Sequence, residues 1–183
     1  MSELAERFAR ELAAVAGTPH AGANAAEVAL EVAGQTPIVA AVDGDTDGDG
    51  GSGGVGLDAI AGELARAGHR VLRPSDASWS AELAGAYLGV TGCAAALADT
   101  GTLLLTFGPG RPRGTSLVPR VHLAIVKEGD LVPSLPDGLA RVADGGRLAS
   151  AMACVTGPSR SGDIEQILTL GVHGPAHVHV VLP

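Results

Sequence analysis

The chain has 183 residues, with 12 Lys and Arg against 20 Asp and Glu for a net charge of −8, 46% hydrophobic residues and only 2% aromatic ones. There is neither a basic face for a phosphate backbone nor a set of rings for stacking bases, so nucleic acid is not an expected partner. The length suits one core and a single domain over 1–183. No apolar run approaches the roughly 20 residues of a membrane-spanning helix, so no membrane insertion is expected.

The start, Met1-Ser-Glu-Leu-Ala-Glu-Arg-Phe8, lacks the basic and apolar blocks of a secretion signal, so a cytoplasmic location is expected. Apolar positions at Leu4, Phe8, Leu12 and Val15 then predict an amphipathic helix over 3–15. An Ala-rich helix is expected from Asn24 to Ala33, and a buried strand over Pro37-Ile-Val-Ala-Ala-Val42. A helix over Leu57–Ala67 leads to a strand at His69–Arg73, giving a β-α-β rhythm. A helix at Ser80–Leu88 precedes strands at Gly92–Ala98 and Thr102–Phe107, whose Asp99-Thr-Gly101 turn reads as a hairpin in a mostly parallel sheet. Further on come a strand at Val121–Val126, a helix near Pro136–Val142, a strand at Ala149–Val155, a helix from Asp163 to Leu170, and a last strand at Val178–Leu182. Alternating strands and helices predict an α/β domain layered around a mostly parallel sheet, with ligands beyond the strands' carboxyl ends.

Three features invite over-reading. The acidic glycine-rich stretch 43–56 begins like a calcium loop, but Gly54 stands at its twelfth position, where a bidentate Glu belongs. Its Gly51-x-Gly53-x-x-Gly56 imitates a dinucleotide fingerprint, yet four Asp residues precede the glycines and would repel a pyrophosphate. A flexible surface loop is the expectation. The imidazoles of His177 and His179 share one strand face and His173 precedes them, but without a recognised ligand spacing they read as a wetted strand face, and no metal site or cofactor is expected. Cys93 and Cys154 sit among small or apolar residues and read as two buried, reduced thiols. His122, inside Val121-His-Leu-Ala-Ile-Val126, is expected to be buried and neutral.

The chemistry concentrates elsewhere. Arg111, Arg113 and Arg120 cluster in a Gly/Pro loop of an otherwise acidic chain, where guanidinium groups suit carboxylate or phosphate. Thr156-Gly-Pro-Ser-Arg-Ser-Gly-Asp-Ile-Glu165 reads as a small-residue loop opening a helix, whose unpaired N–H groups would attract an anion.

These segments carry a resemblance. Ala98-Asp-Thr-Gly-Thr-Leu103, Ser116-Leu-Val-Pro-Arg-Val-His-Leu-Ala-Ile-Val126, Thr156 to Glu165 and Gly171-Val-His-Gly-Pro175 resemble, in order, the LUD domain, the family of lactate-utilisation protein C. The similarity runs from about Gly89 to the C-terminus; the chain departs from the family's usual residues with Asp99 in place of Glu and Ser161-Gly162 in place of Thr-Ala. The resemblance implies a three-layer α/β/α sandwich of the NagB/RpiA/CoA-transferase type. It also implies a part in oxidation of L-lactate to pyruvate beside iron–sulfur partner proteins, which two cysteines cannot replace. The leading expectation is an accessory or regulatory subunit with a pocket for a small carboxylate or phosphate. The ligand residues expected are Thr100, Gly101, Thr102, Arg111, Arg113, Ser116, Gly157, Ser159, Ser161, Asp163 and His173. The alternative is an enzyme acting on a small phosphorylated or CoA-linked acid, with Asp99 or Glu165 as acid/base or nucleophile.

Overall fold

In a computed structural model of the chain, which describes residues 1–44, 56–145, 149–162 and 168–183, the N-terminal helix α1 spans Glu3–Ala14. Ser2 caps it by accepting from the Ala5 N–H, and Ala5, Phe8 and Leu12 form its buried stripe. A short strand, β1 (Thr18–Ala21), precedes α2 (Ala25–Ala33), whose first turn is closed by the Asn24 carboxamide. Then follow β2 (Val39–Val42), α3 (Leu57–Arg66) and β3 (Arg70–Leu72).

The expected helix at Ser80–Leu88 is much shorter. It consists of one turn, α4 (Trp79–Glu82), and a 3₁₀ turn at Leu83–Gly85, and Leu88 already belongs to β4 (Leu88–Thr91). Gly85 and Gly89 lower helix propensity there, and four successive buried positions in β4 favour a central strand. The strand expected at 92–98 is likewise shorter, with β5 at Ala95–Leu97. It forms the anticipated hairpin with β6 (Thr102–Phe107). Next come α5 (Gly114–Leu117), β7 (Val121–Ile125), a 3₁₀ turn at Glu128–Asp130, β8 (Leu131–Val132) and α6 (Leu135–Asp144). The chain continues with β9 (Ala151–Val155), β10 (Arg160–Gly162), β11 (Leu168–Leu170) and β12 (His177–Leu182). The helix expected from Asp163 to Leu170 is therefore replaced at its end by β11, which pairs antiparallel with β10. The Leu168-Thr-Leu170 alternation carries a period of two, and β pairing wins over helix propensity.

The main sheet has the order β1-β12-β7-β4-β2-β3, and every neighbouring pair is parallel. The fold is α/β, as expected. Helices α2 and α3 cover one face through Val28, Ala29, Leu57, Ile60 and Leu64, packed on Val42, Val90, Leu123 and Val181. The opposite face receives α1 together with a second sheet, ordered β8-β5-β6-β9, through Phe8, Leu12, Leu103, Leu105, Val178 and Val180. The Asp99 hairpin belongs to this second sheet, so the layer beneath the parallel sheet is not made of helices alone. Helix α6 lies on its outer side against Ala95, Leu97 and Leu104. Cys93 is buried, but Cys154 is exposed, against expectation, because it points outward from the edge strand β9.

Candidate functional site

The strand order sets the position of a cleft. The chain runs from β2 outward to β3, returns past β2 to β4, and continues the other way to β7. The reversal lies between β2 and β4, and the carboxyl end of such a switch point is where open α/β sheets bind ligands. Asp43 follows the last residue of β2, and Thr91, Gly92 and Cys93 end β4 and follow it.

Asp43 is 5% exposed, and among the described residues its Oδ1 has no hydrogen-bond partner. Its N–H is fixed to the Val90 carbonyl at 3.0 Å, so the carboxylate is held over the β2–β4 gap. Burial pushes its pKa up to about 7, against the lowering influence of the Thr115 hydroxyl and of Arg111 and Arg73. Arg73 lies just beyond β3, pairs with Asp58 through Nη2, and keeps Nη1 buried without a hydrogen-bond partner among the described residues. Arg111 arrives on a tight turn in which Gly108 and Arg111 exchange both backbone bonds. Gly110, at φ 75°, closes that turn, and its carbonyl accepts from Gly44 N–H at 3.1 Å. Asp43 and Gly44 are thus part of the folded body, whereas 43–56 was expected to be loop throughout; 45–55 lie outside the described residues.

Asp43, Arg111, Thr91 to Ala94 and Leu105 to Phe107 enclose about 10 Å³, the space of one water. Behind it Thr91 Oγ1 and His122 Nε2 share a 2.9 Å hydrogen bond. His122 is fully buried, as expected, and burial pushes its pKa down to about 4. Cys93 beside it has its thiol pushed up by burial and by Asp130, which is itself bonded to Arg141 at 2.8 Å.

The residues expected to form one pocket fall into two groups. Asp99, Thr100, Gly101, Thr102 and Gly157 gather at the far end of β6, around the C-terminus of α1. Thr102 and Thr156 share a 2.7 Å hydrogen bond there, and Thr100 donates to Asp99. A Cβ on Gly101 would stand 2.3 Å from Leu12 N, and one on Gly157 2.5 Å from Val15 O. The small residues of these motifs therefore seat the turns on α1. Ser159 N–H donates to the Pro175 carbonyl, and the Ser159 carbonyl accepts from Gly171 N–H, so that amide is already engaged. Arg111, Arg113 and Ser116 follow the opposite end of β6, about 17 Å away at a rise of about 3.4 Å per residue. Arg113 is exposed, with its carbonyl accepting from Ser116 Oγ, and His173 is exposed too. Asp163 and Glu165 lie outside the described residues, and Ser161 is described only as backbone in β10.

Sequence reasoning passed over Asp43, Arg73, Thr91 and Thr115. Asp43 was absorbed into a low-complexity run, although its place directly after a buried strand was a usable signal. Arg73 was visible only as a strand end, and its approach to Asp43 depends on the pairing of β3 with β2.

A family model for the LUD domain matches residues 5–182. Lactate utilization protein C of Bacillus licheniformis is 40% identical over 94 residues, 49% of this chain and 39% of that protein. Lactate utilization protein C of Deinococcus radiodurans is 36% identical over 117 residues, 63% of this chain and 55% of that protein. The matched segments thus span less than two thirds of these relatives' lengths. A crystal structure of a DUF162 family protein from Deinococcus radiodurans aligns over 100% of this chain and 98% of that one, with a TM-score of 0.64 at 24% identity, and shows the same fold.

Proposed function

The chain belongs to the LUD domain family, and from that premise we propose that it is an accessory or regulatory subunit in L-lactate utilisation that binds a small carboxylate or phosphate between the carboxyl ends of β2 and β4. The relatives named lactate utilization protein C support the pathway. One observation carries the site: the buried Asp43 carboxylate, with an unpartnered oxygen, stands at the switch point beside two arginines. Arg73 Nη1, a buried donor with no partner among the described residues, calls for an acceptor, and an anion's oxygen supplies it. The enclosed space admits one oxygen, so the ligand's acid group enters and its remainder stays outward. Asp43 accompanies it as the neutral acid, able to donate a hydrogen bond, because its pKa is already near neutrality and a second negative charge raises it further.

On this reading the whole chain is one LUD domain of the NagB/RpiA/CoA-transferase type, working in the cytoplasm, and the electrons of lactate oxidation pass through iron–sulfur partner proteins. The second reading, an enzyme for a small phosphorylated or CoA-linked acid, draws its support from the same Asp43, since a carboxyl group with a pKa about 7 is suited to acid/base work.

Thermal melts of the purified chain with lactate, pyruvate, phosphate and CoA esters test the proposal. A ligand at a hundred times its Kd stabilises by about 2.7 kcal/mol. The expected result is a rise in Tm with one small acid that is absent in Arg73→Ala. Equal melting with and without every anion overturns the site, and turnover of any of these acids by the chain alone selects the enzyme reading.

A further inference from the structure

Two helices cover one face of a six-stranded sheet. Packed helices stand 8–10 Å apart and strands about 4.8 Å, so two helices cover about four strands. The core formed by α2 and α3 reaches Val181 near the end of β12 and, among the described residues, includes none from β1 or from the start of β12. In register, His20 of β1 lies opposite Val181, and His177, His179 and Val181 alternate onto a single face of β12. Three imidazoles from two strands therefore share one sheet face, two of them in contact, where an apolar surface would otherwise need cover. They border a cavity of about 310 Å³, walled also by Glu31, Val32, Tyr87 and Val121. This cavity lies at the amino ends of β7 and β12, the opposite edge of the sheet from Asp43.

His20 Nε2 and His179 Nδ1 are 2.9 Å apart, with ring planes 20° from parallel. We propose that these two nitrogens are the seat of a divalent transition-metal ion, Zn²⁺ or Cu²⁺, with His177 as third ligand and Glu31 as the facing carboxylate. Neutral imidazole is the common ligand for both ions. Nitrogens 2.0–2.1 Å from an ion subtend about 2.9 Å at the right angle of a tetragonal Cu²⁺ site, and about 3.3 Å in a tetrahedral Zn²⁺ site. The pair therefore has the spacing of the first geometry already and reaches the second by parting about 0.4 Å. Among the described residues no three His, Cys, Asp or Glu side chains yet surround one point. The third ligand has to swing in. His177 is placed to do so, two residues before His179 on the same strand face and on the wall of the same cavity. A hydrogen bond between two neutral rings accounts for the 2.9 Å contact alone. It gives no reason for a third histidine and a glutamate to line the same open cavity.

The test is titration of the tag-free, chelator-treated chain with ZnCl₂ and with CuCl₂ by calorimetry. One equivalent is expected to bind, with Kd at least tenfold weaker in His20→Ala and in His179→Ala, a smaller loss in His177→Ala, and no change in His173→Ala, an exposed histidine that does not line the cavity. Electron paramagnetic resonance of the Cu²⁺ form is expected to show splitting from two or three nitrogens, reduced by one in each cavity variant. Should an alanine variant fail to fold, His20→Gln and His179→Gln replace it, since Gln fills the site but is a poor ligand. Metal binding no tighter in the wild-type chain than in the His20→Ala, His179→Ala double variant overturns the proposal. So does an equal loss in His173→Ala. Because Asp43 and the arginines take no part, loss of anion binding leaves this result unaffected.

Discussion

The carbonyl oxygen of Thr115 occupies the space where a side chain on Gly89 would begin: a Cβ there would stand 1.9 Å from it. Gly89 lies inside β4, a place where glycine ordinarily weakens a strand, and the reason is the one-turn helix α5 lying against the sheet at backbone distance. That approach brings the fully buried Thr115 beside Asp43. Since the clash is with backbone and not with the tip of a flexible side chain, Gly89→Ala is expected to cost more than ordinary overpacking, about 3 kcal/mol or above. Denaturant melts measure it. A cost below about 1 kcal/mol shows that α5 yields freely and that Thr115 is not held in place.

Asp43 makes the fold pH-sensitive in a direction opposite to most carboxylates. Its pKa rises from 3.8 to about 7 on folding, so the folded chain binds the proton more tightly than the unfolded one. Below about pH 4 both states are protonated and nothing is lost. As pH climbs from 4 to 7 the unfolded state ionises first, and the folded state loses up to about 4 kcal/mol relative to a group with no shift. Asp43→Asn, of the same shape and always neutral, is therefore expected to be the more stable protein at pH 8 and to match the wild type at pH 4. A variant less stable at pH 8 contradicts this. Stability gained by removing a buried side chain's charge is the mark of a residue kept for its chemistry.

The two loop arginines separate the site from its surroundings. Arg111 is half-buried on a turn bonded to Gly44, whereas Arg113 is exposed, with its carbonyl accepting from Ser116 Oγ. Charge-assisted hydrogen bonds contribute about 1.5–3 kcal/mol, which corresponds to roughly tenfold to a hundredfold in affinity. Titrations with the anion found by thermal melts are expected to show a loss of that size in Arg111→Ala and in Arg73→Ala, and less than twofold in Arg113→Ala. An Arg113→Ala loss as large as that of Arg111→Ala moves the site outward along the loop.

Much of the architecture is legible in the residues because it rests on local pattern. The stripe Leu4, Phe8, Leu12 marks α1, the apolar run 37–42 marks β2, and the Asp-Thr-Gly turn marks the β5–β6 hairpin. What escapes is long-range. The four-residue strand β1 has no apolar run, with Thr18 and Ala21 exposed, and exists because β12 offers it an edge. The separate second sheet depends on β6 pairing with β9 some fifty residues on. The same reason accounts for the site. Motifs at Asp99 and Gly157 share small residues for a packing purpose against α1, while the charged corner assembles from β2, β3 and the 108–111 turn, and no segment announces that meeting. His20 and His179, 159 residues apart, meet only through strand pairing.

His122 gives the last pH signature, with the opposite sign to Asp43. Its ring is wholly buried, bonded through Nε2 to Thr91, and its Nδ1 has no partner among the described residues, so burial holds its pKa at about 4 against an ordinary 6.5. The folded chain keeps it neutral while the unfolded chain takes up a proton. The stability it contributes is therefore complete above pH 6.5 and is lost as pH falls from 6.5 to 4, by about 3 kcal/mol at most. Across that same interval Asp43 adds stability as pH falls, so the wild-type profile is a partial cancellation. The difference between variants separates them. His122→Gln keeps an amide for Thr91 and takes no proton; relative to the wild type it is expected to gain steadily in stability from pH 6.5 to 4 and to run parallel to it above 7. Melts at half-unit pH steps on both proteins decide the matter, and parallel profiles throughout would show that the buried ring finds a partner for its proton inside the fold.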